Sequence, residues 1–439
     1  MKENLRSSAS IWTEGDIRWI LPARLAALLG SSALATALLL TTEGAGRGAV
    51  GVALLMAAVT LPVVLTIGWT GRLADTRDSR QLLLAATAVQ LAGLAGLVAA
   101  VRAPGPGDGS EAFWWWLTLG TVALVQTGHA LELPVWPALT AKVVGDERIG
   151  DAMAWQQGLG VFAAPAGALL GAFAYSLGGV VAAAGITALC ALAGGVAALA
   201  IRTRRGGGAA THPLATDAIA ESEDAEAPPT VSTLRWLVTH PVLGPIFWVL
   251  TPLVLVGEAV NVVEVLLARQ ELGASAAQYG WGEVAFGAGA VIGTWGVRRV
   301  TSDAARLARF LGGFWVVAVL ILVAGVVPSW WWYVGLAVPI GAGNMAANVS
   351  SATLLMLHTP EARRGRVQAA FVGTVRAFSL GALAIGGLLG SALGPRGTYV
   401  ACGTAACLVM LAGSVWLHRA HRAARPSGRR PRRAATVVP

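Results

Sequence analysis

The stretch Gly71-Arg72-Leu73-Ala74-Asp75-Thr76-Arg77-Asp78-Ser79-Arg80 is a short charged segment between two long apolar runs. Its glycine permits close approach of two helix ends, its first aspartate is able to cap or pair at the N-terminus of a neighbouring helix, and its arginines are able to bind carboxylates or terminal helix carbonyls. The segment therefore predicts a charged latch that stabilises one conformation at a helix junction. A loop that only sets membrane topology is the alternative. The predicted latch residues are Gly71, Arg72, Asp75, Arg77 and Arg80.

The rest of the chain is strongly apolar. Of its 439 residues, 55% are hydrophobic and 13% are charged, about half the ~25% of charged residues in a soluble domain. A net charge of +9 would suggest nucleic acid as the partner of a soluble protein. Here the basic residues lie between apolar runs, so we expect them to set topology and expect no nucleic-acid partner. The three cysteines lie in apolar segments without zinc-ligand spacing, which predicts no disulfide, no metal and no cofactor.

Twelve segments are long enough to cross a membrane, which takes about 20 mostly apolar residues. None shows the alternating pattern of a barrel strand, so the prediction is an all-α polytopic membrane protein. The predicted spans are 18–40, 50–69, 82–101, 113–140, 152–176, 179–201, 241–267, 279–297, 307–327, 330–356, 366–391 and 398–418.

Basic residues are distributed unequally between the two sets of loops. One set carries only Arg47, Arg102, Arg269 and Arg396, whereas most of the 32 lysines and arginines lie on the other side, which is then the cytoplasm. Both termini are predicted to be cytoplasmic, and the polar residues 1–17 predict no cleavable signal peptide. Abundant Arg, Ala, Gly and Pro, which have GC-rich codons, favour a bacterial inner membrane as the location.

These spans divide the chain into five regions. Residues 1–17 form a cytoplasmic N-terminus, 18–201 and 241–418 form two six-helix bundles, 202–240 form a flexible cytoplasmic linker, and 419–439 form a basic tail against anionic lipid headgroups.

The two bundles resemble each other in sequence. Tryptophan triplets open span four at 114–116 and span ten at 330–332, 216 positions apart. At an offset of 215 the residues Arg148, Gly150, Gly158 and Gly171 match Arg363, Gly365, Gly373 and Gly386. Duplicated six-span halves are typical of transporters, with the substrate site between them near mid-bilayer.

The opening segment resembles the signature loop of the major facilitator superfamily, Gly-x-Leu-Ala-Asp followed by basic residues, although Asp78 stands where a second glycine is common. Twelve spans, a central linker and a degenerate copy after span eight extend the resemblance over nearly the whole chain. The segment Pro134-x-x-Pro137-Ala138-Leu139 and the residues from Asp146 to Gly171 resemble the branch that contains enterobactin exporters and macrolide efflux proteins.

Proton-coupled exporters of this superfamily carry a glycine-rich motif on span five, which ends Gly-Pro-x-x-Gly-Gly. The resemblance is partial here, because Ala164 precedes the proline, and the span-four arginine of many drug exporters has no counterpart within 123–128. Close helix packing explains these small residues as well as an antiport motif does. The residues predicted to pack are Gly158, Pro165, Gly167 and Gly171.

Charged and amide side chains within the spans are the candidates for proton or substrate binding, because a charge in hydrocarbon costs several kcal/mol. Glu258, Asn261 and Glu264 share one face of span seven, and Arg376 lies near mid-bilayer in span eleven. The other candidates are His129, Glu132, Arg24, Asn344 and Asn348. Alternatives are that Arg24 snorkels, Glu132 caps a helix and Arg376 forms a static bridge with Glu258. Glu283 is expected to lie too near a helix end.

The predicted function is a monomeric, proton-coupled exporter of a hydrophobic or amphipathic small molecule such as an antibiotic, drug or siderophore. Its partners are the substrate, protons and the bilayer. Uptake of a small metabolite is the alternative within transport. A polytopic membrane enzyme is disfavoured, because the sequence has no His-rich cluster, HExxH, paired-aspartate motif, nucleophile elbow or phosphate loop.

Overall fold

The computed structural model describes residues 15–102, 111–145, 148–203, 229–297, 302–360 and 364–424, and these residues contain no β-strand. The helices are α1 (Ile17–Gly44), α2 (Gly48–Thr76), α3 (Ser79–Arg102), α4 (Glu111–Glu132), α5 (Val135–Val144), α6 (Ile149–Ala200), α7 (Pro229–Thr239), α8 (Leu243–Leu266), α9 (Ala276–Val297), α10 (Asp303–Ala324), α11 (Trp330–His358) and α12 (Arg364–Ala424). A π-helical turn, Leu267–Glu271, extends α8.

Seven helical ranges are long and apolar enough to cross a membrane by length and composition. Two of them, Trp155–Ala200 and Ala370–Trp416, contain 46 and 47 residues, which is enough for two crossings each. Each folds back at a glycine in the left-handed region, Gly179 with φ 63° and Gly394 with φ 70°. Together with α4, α9 and α11, these ranges are consistent with twelve crossings.

The segment 71–80 is mostly helical, contrary to the predicted loop. Helix α2 continues through Thr76 and α3 begins at Ser79, so only Arg77 and Asp78 lie between them. Asp78 makes this tight junction possible, because its Oδ1 accepts a hydrogen bond from the backbone N–H of Arg80 at 2.8 Å. Asp78 therefore caps the start of α3.

Three predicted boundaries also differ. Span 113–140 breaks into α4 and α5 at Pro134, which lacks a backbone N–H for the helix ladder. The predicted flexible linker 202–240 includes α7, whose Leu237 is fully buried in an apolar cluster. Helix α12 continues to Ala424, past the predicted start of the tail. Most of the linker, 204–228, and the rest of the tail lie outside the described residues.

The two halves, α1–α6 and α7–α12, repeat one architecture. Gly171 of α6 packs on Ala33 of α1, and Gly386 of α12 packs 2.7 Å from the Cα of Ala259 in α8, where distances are measured from an ideal Cβ position on the glycine. The two fold-back glycines, 179 and 394, are also 215 positions apart. The offset read from the sequence is thus repeated in equivalent helix contacts.

The halves meet along two equivalent seams. In the first, α12 lies on α2, with an ideal Cβ of Gly387 2.9 Å from Cβ of Ala53. In the second, α9 lies on α6, with an ideal Cβ of Gly280 2.9 Å from Cα of Leu169 and Gly287 against Pro165. Small residues permit this approach of the backbones.

Both seams lie toward one end of the molecule. We call it the Arg269 end, because the π-helical turn that contains Arg269 lies there. One of the apolar clusters among the described residues combines both halves, and it includes Leu40 and Val52 with Val263 and Leu267. The other described clusters each belong to a single half. The halves are therefore held together mainly at the Arg269 end.

Candidate functional site

A cavity of about 450 Å³ lies beside the seams, lined mainly by helices of the C-terminal half. From the N-terminal half, α1 contributes Leu39 and α2 contributes Met56. Its polar lining residues are Asn261, Glu264, Tyr279, Glu283, Tyr333, Asn344 and Tyr399. The cavity therefore brings together polar groups from α8, α9, α11 and α12.

Glu264 is the carboxylate that the cavity holds by hydrogen bonds. The Tyr333 hydroxyl donates to Glu264 Oε1 at 2.9 Å, and the hydroxyls of Tyr333 and Tyr399 are 3.0 Å apart. Trp330 stacks on Tyr333 with ring centroids 4.8 Å apart. This wall of aromatic rings fixes the orientation of the carboxylate.

Glu283 of α9 faces the same cavity, and its charge acts on Glu264. Within the described residues its carboxylate makes no hydrogen bond and no ion pair. Sequence reasoning placed this residue too shallow because it started span eight at residue 279. Since α9 begins at Ala276, Glu283 lies seven residues in, about 10 Å at 1.5 Å per residue.

Asn261 and Asn344 also line the cavity, whereas Glu258 and Asn348 lie beside it. The Asn261 amide donates to Glu258 Oε2 at 3.4 Å, and the Asn348 amide donates to Asn344 Oδ1 at 3.0 Å. The face predicted on span seven therefore exists, with Glu264 inside the cavity and Glu258 one step outside it.

Arg376 is not among the residues that line the cavity. Its side chain is exposed on α12, and no ion pair joins it to Glu258 in the described part of the chain. The predicted bridge between Glu258 and Arg376 is therefore not formed among the described residues of this conformation.

The remaining ionisable candidates form a second cluster in the N-terminal half. His129 Nδ1 is 2.8 Å from Glu132 Oε1, and Trp136 Nε1 donates to Glu132 Oε2 at 3.4 Å. The charge of Glu132 also acts on Arg24, whose Nε and Nη1 are buried without a hydrogen-bond partner in the described structure. Glu132 is only 6% exposed, so this cluster is a packed polar core.

The predicted latch residues lie at the end opposite Arg269. Arg72 and Arg77 are exposed and Arg80 is partly buried. An ideal Cβ on Gly71 meets no atom within 4 Å, so close approach at this glycine is absent from this conformation. The Asp75 side chain lies outside the described structure, and its latch role stays a prediction.

The small residues of α6 fall into two groups. Gly167 packs on α1, where an ideal Cβ is 2.7 Å from the carbonyl oxygen of Leu29, and Gly171 packs one turn further along. Gly158 has no atom within 4 Å of an ideal Cβ. It lines an apolar groove with Trp155 and Phe162, so the close packing expected at Gly158 does not occur here.

An ion pair joins the halves at the Arg269 end. Arg269 Nε is 3.2 Å from Glu43 Oε2, and the Gln270 amide donates to Glu43 Oε1 at 3.4 Å. Arg269 Nη1 also donates to the carbonyl of Ala274 at 2.7 Å. Sequence reasoning used Arg269 only to set topology, because its partner is 226 residues away.

Comparison with known proteins supports this architecture. Residues 247–439 match the family model of the Major Facilitator Superfamily. No curated protein sequence matches the chain. At 12–16% identity the solved structures show the fold alone.

Three solved structures are similar over nearly their whole length. A bacterial homologue of the iron transporter ferroportin in an inward-facing state has 16% identity and a TM-score of 0.66, covering 92% of this chain and 100% of that chain. Its outward-facing state has a TM-score of 0.57 at 16% identity, covering 92% and 99%. An auto-inhibited POT family peptide transporter has 13% identity and a TM-score of 0.70, covering 92% and 97%. The predicted fold class, a polytopic helical membrane protein, is confirmed.

Proposed function

We propose that the chain is a secondary active transporter that works by alternating access and exports a hydrophobic or amphipathic small molecule in exchange for protons. The observation that carries this proposal is the cavity around Glu264, set beside the seams of two repeated helical halves. A substrate site at such a repeat interface is the arrangement that alternating access requires.

Glu264 is the proposed proton carrier. Its carboxylate lies among aromatic and aliphatic side chains and is hydrogen-bonded by Tyr333. An ionised carboxylate there is costly unless a proton or another cation neutralises it. Glu258, hydrogen-bonded by Asn261 one step outside the cavity, is the proposed route by which protons reach it.

The conformation supports a definite step in the cycle. The seams and the pair between Glu43 and Arg269 close the Arg269 end. The TM-score is higher with the inward-facing ferroportin homologue, 0.66 against 0.57. We assign the Arg269 end to the outside of a bacterial inner membrane from the distribution of basic residues. We therefore propose that the structure represents an inward-facing state of a monomer with cytoplasmic termini.

Export of an antibiotic, drug or siderophore rests on the sequence resemblance to the exporter branch. The aromatic lining of the cavity and its few polar groups suit an amphipathic molecule, since ligand pockets of this size are mostly apolar with a few placed polar groups. The N-terminal cluster of Arg24, His129 and Glu132 is proposed to support the scaffold beside the transport path.

The test uses the full chain reconstituted in vesicles loaded with Hoechst 33342, an amphipathic dye. We expect an imposed pH gradient to drive dye movement, an uncoupler to abolish it, and added ATP to leave it unchanged. Glu264→Gln should abolish the coupled movement, and Glu111→Gln, on the exposed first turn of α4, should not. Dye movement that survives both the uncoupler and Glu264→Gln would contradict proton exchange.

A further inference from the structure

We infer that the cavity between Glu264 and Glu283 binds an organic cation, so that the transported molecule carries a protonated amine or a comparable cationic group. This inference rests on the proposed function of the same site and adds the chemical class of its substrate.

The charge of the cavity lining is the first argument. Two glutamates line the cavity, and none of its described lining residues is Lys, Arg or His. The arginine at the same end, Arg269, is held by Glu43 and by the Ala274 carbonyl. The lining therefore has two acidic groups and no basic one, so only protons or a bound cation can balance the charge of these carboxylates.

Unsatisfied polar groups are the second, independent argument. Tyr279 is only 2% exposed and lines the cavity, yet its hydroxyl makes no hydrogen bond within the described residues. The Glu283 carboxylate lacks a donor in the same part of the chain. Neither group is among the buried atoms without a partner in the described structure, so both are open to the cavity. A ligand in the cavity can therefore bind them, and an ammonium group would supply N–H donors to both.

The aromatic side chains favour a cation as well. Tyr279, Tyr333 and Phe286 line the cavity, and Trp330 stacks behind Tyr333. Aromatic ring faces attract ammonium groups, most strongly where water is excluded. A neutral amphipathic ligand would gain the apolar contacts but would leave the two carboxylates unpaired.

Size separates an organic cation from a metal ion. The cavity of about 450 Å³ lies within the roughly 300–1,000 Å³ range of small-molecule pockets. The described residues include no group of three or more His, Cys, Asp or Glu able to hold a metal ion. The site is thus built for a charged group attached to an apolar body.

The same carboxylates would then bind either protons or the cation. A monovalent ammonium group that enters a singly protonated pair of glutamates displaces one proton, which leaves to water, and the net charge of the site is unchanged. This competition would couple cation export to proton entry without a separate proton site.

The experiment compares probes of one shape and different charge on the purified full chain in detergent. They are 1-naphthylmethylamine, which is cationic at pH 7, 1-naphthylmethanol, which is neutral, and 1-naphthoate, which is anionic. We expect calorimetry to show the amine binding at least about tenfold more tightly than the alcohol, since a hydrogen bond to a charged group contributes roughly 1.5–3 kcal/mol. A pH indicator in weak buffer should report proton release with the amine only.

Two variants test the assignment. Glu283→Gln should remove about tenfold of the amine affinity and leave the alcohol unchanged, and Tyr279→Phe should have a smaller effect in the same direction. Glu111→Gln is the matched control and should change neither. Unchanged melting transitions of each variant show that the comparison is made on folded protein.

Four results would each overturn the inference. They are equal binding of the amine and the alcohol, tighter binding of 1-naphthoate, no binding of the amine to folded protein, and displacement of the amine by Mn²⁺. If the amine binds and releases a proton but vesicles show no gradient-driven flux, the proposed transport fails and the cation site stands. If the amine does not bind, and Hoechst 33342 moves with the pH gradient in Glu283→Gln as in the wild type, the cation site fails and the proposed transport stands.

Discussion

The N-terminal and C-terminal halves share their helix order but differ in what their polar residues do. In the N-terminal half, Glu132 receives hydrogen bonds from His129 and Trp136 and is nearly fully buried. In the C-terminal half, Glu283 faces a cavity and has no donor in the described structure. The two halves therefore share a scaffold, and most residues that line the cavity belong to the C-terminal half.

The shared scaffold depends on helix contacts made by small residues, which tolerate little change, whereas the polar residues are free to diverge. Equivalent glycines pack α6 on α1 and α12 on α8. The cavity and the N-terminal cluster occupy the space that these contacts leave. The following predictions test this separation between a repeated frame and a divergent interior.

Substitution of the repeated packing glycines should have the largest effect. Gly171→Leu and Gly386→Leu each place a side chain where backbone atoms of α1 or α8 already lie, so both variants should lose most of their folded protein. Overpacking costs about 1–3 kcal/mol even for small additions. Size-exclusion profiles and thermal midpoints in detergent measure the loss.

The controls are Gly158→Ala and Gly373→Ala, another pair related by the repeat. Neither glycine has an atom within 4 Å of an ideal Cβ, and Ala in a helix is favoured over Gly by about 0.5–1 kcal/mol. Both variants should be as stable as the wild type or more so. If the two members of either glycine pair differed in stability effect, one destabilised and the other not, the two halves would not be structurally equivalent.

Loss of a carboxylate should affect stability differently in the two halves, and this is the next largest effect. Glu132→Gln leaves the partly buried Arg24 without its counter-charge and should lower the free energy of unfolding by about 2 kcal/mol. Glu283→Gln removes an unpartnered carboxylate and should leave stability unchanged or raise it. SDS titration of both variants measures the difference, and adding Arg24→Gln to Glu132→Gln should recover part of the loss. Equal losses for Glu132→Gln and Glu283→Gln would show that both residues are structural.

The ion pair across the halves should have a smaller effect. Glu43→Gln and Arg269→Gln should each weaken closure of the Arg269 end by about 1 kcal/mol, because the pair is partly exposed. Arg396 and Glu271 form a matched pair at the same end within the C-terminal half, also 3.2 Å apart. The rate of dye transport should change for the first pair and stay constant for Glu271→Gln.

The helix starts of the two halves should respond to acid at different pH. His240 Nδ1 accepts hydrogen bonds from the backbone N–H groups of Val242 and Leu243, both at 3.2 Å. Burial is the main cause that lowers the pKa of His240, and the charge of the nearby His358 lowers it further. His358 Nε2 itself lies 2.9 Å from Asp303 Oδ2. Because the folded state prefers neutral His240, its contribution is complete above the unfolded pKa of about 6.5 and is lost as the pH falls below it.

At the start of α1 the corresponding group is Asp16. Burial raises its pKa, but hydrogen bonds from Thr203 and Arg202 outweigh burial and lower the pKa overall. Its contribution is therefore present above about pH 4 and lost only below it. Thermal midpoints from pH 8 to 3 should show a first decrease that His240→Asn removes and a second that Asp16→Asn removes. A single decrease unaffected by His240→Asn would exclude this role.

Much of the frame could be predicted from the sequence, because apolar length decides membrane crossing and glycine spacing records the duplication. The three-residue steps through Glu258, Asn261 and Glu264 also placed one carboxylate of the cavity correctly on its helix face. These features are local, since each depends on residues of one helix.

The rest of the cavity depends on contacts that no single helix encodes. Tyr279, Tyr333 and Tyr399 come together from three helices, and none of them stood out in the sequence. Of the polar lining residues, Glu264, Asn261 and Asn344 were the sequence candidates. Glu283 was underestimated because the start of α9 was placed three residues late. Helix α7 was missed because the polar composition before it obscured the buried position of Leu237.

The tight fold-backs at Gly179 and Gly394 have a consequence for biogenesis. No charged residue lies among 175–185. During synthesis the two spans of α6 therefore reach the insertion machinery without a charged loop between them that could be retained on one side of the membrane. We expect the α6 hairpin to enter the bilayer as one unit, after both arms have been translated. Epitope insertions after Gly179 should then stall assembly, whereas the hairpin of α12, marked by Arg396 beside its turn, should tolerate them better.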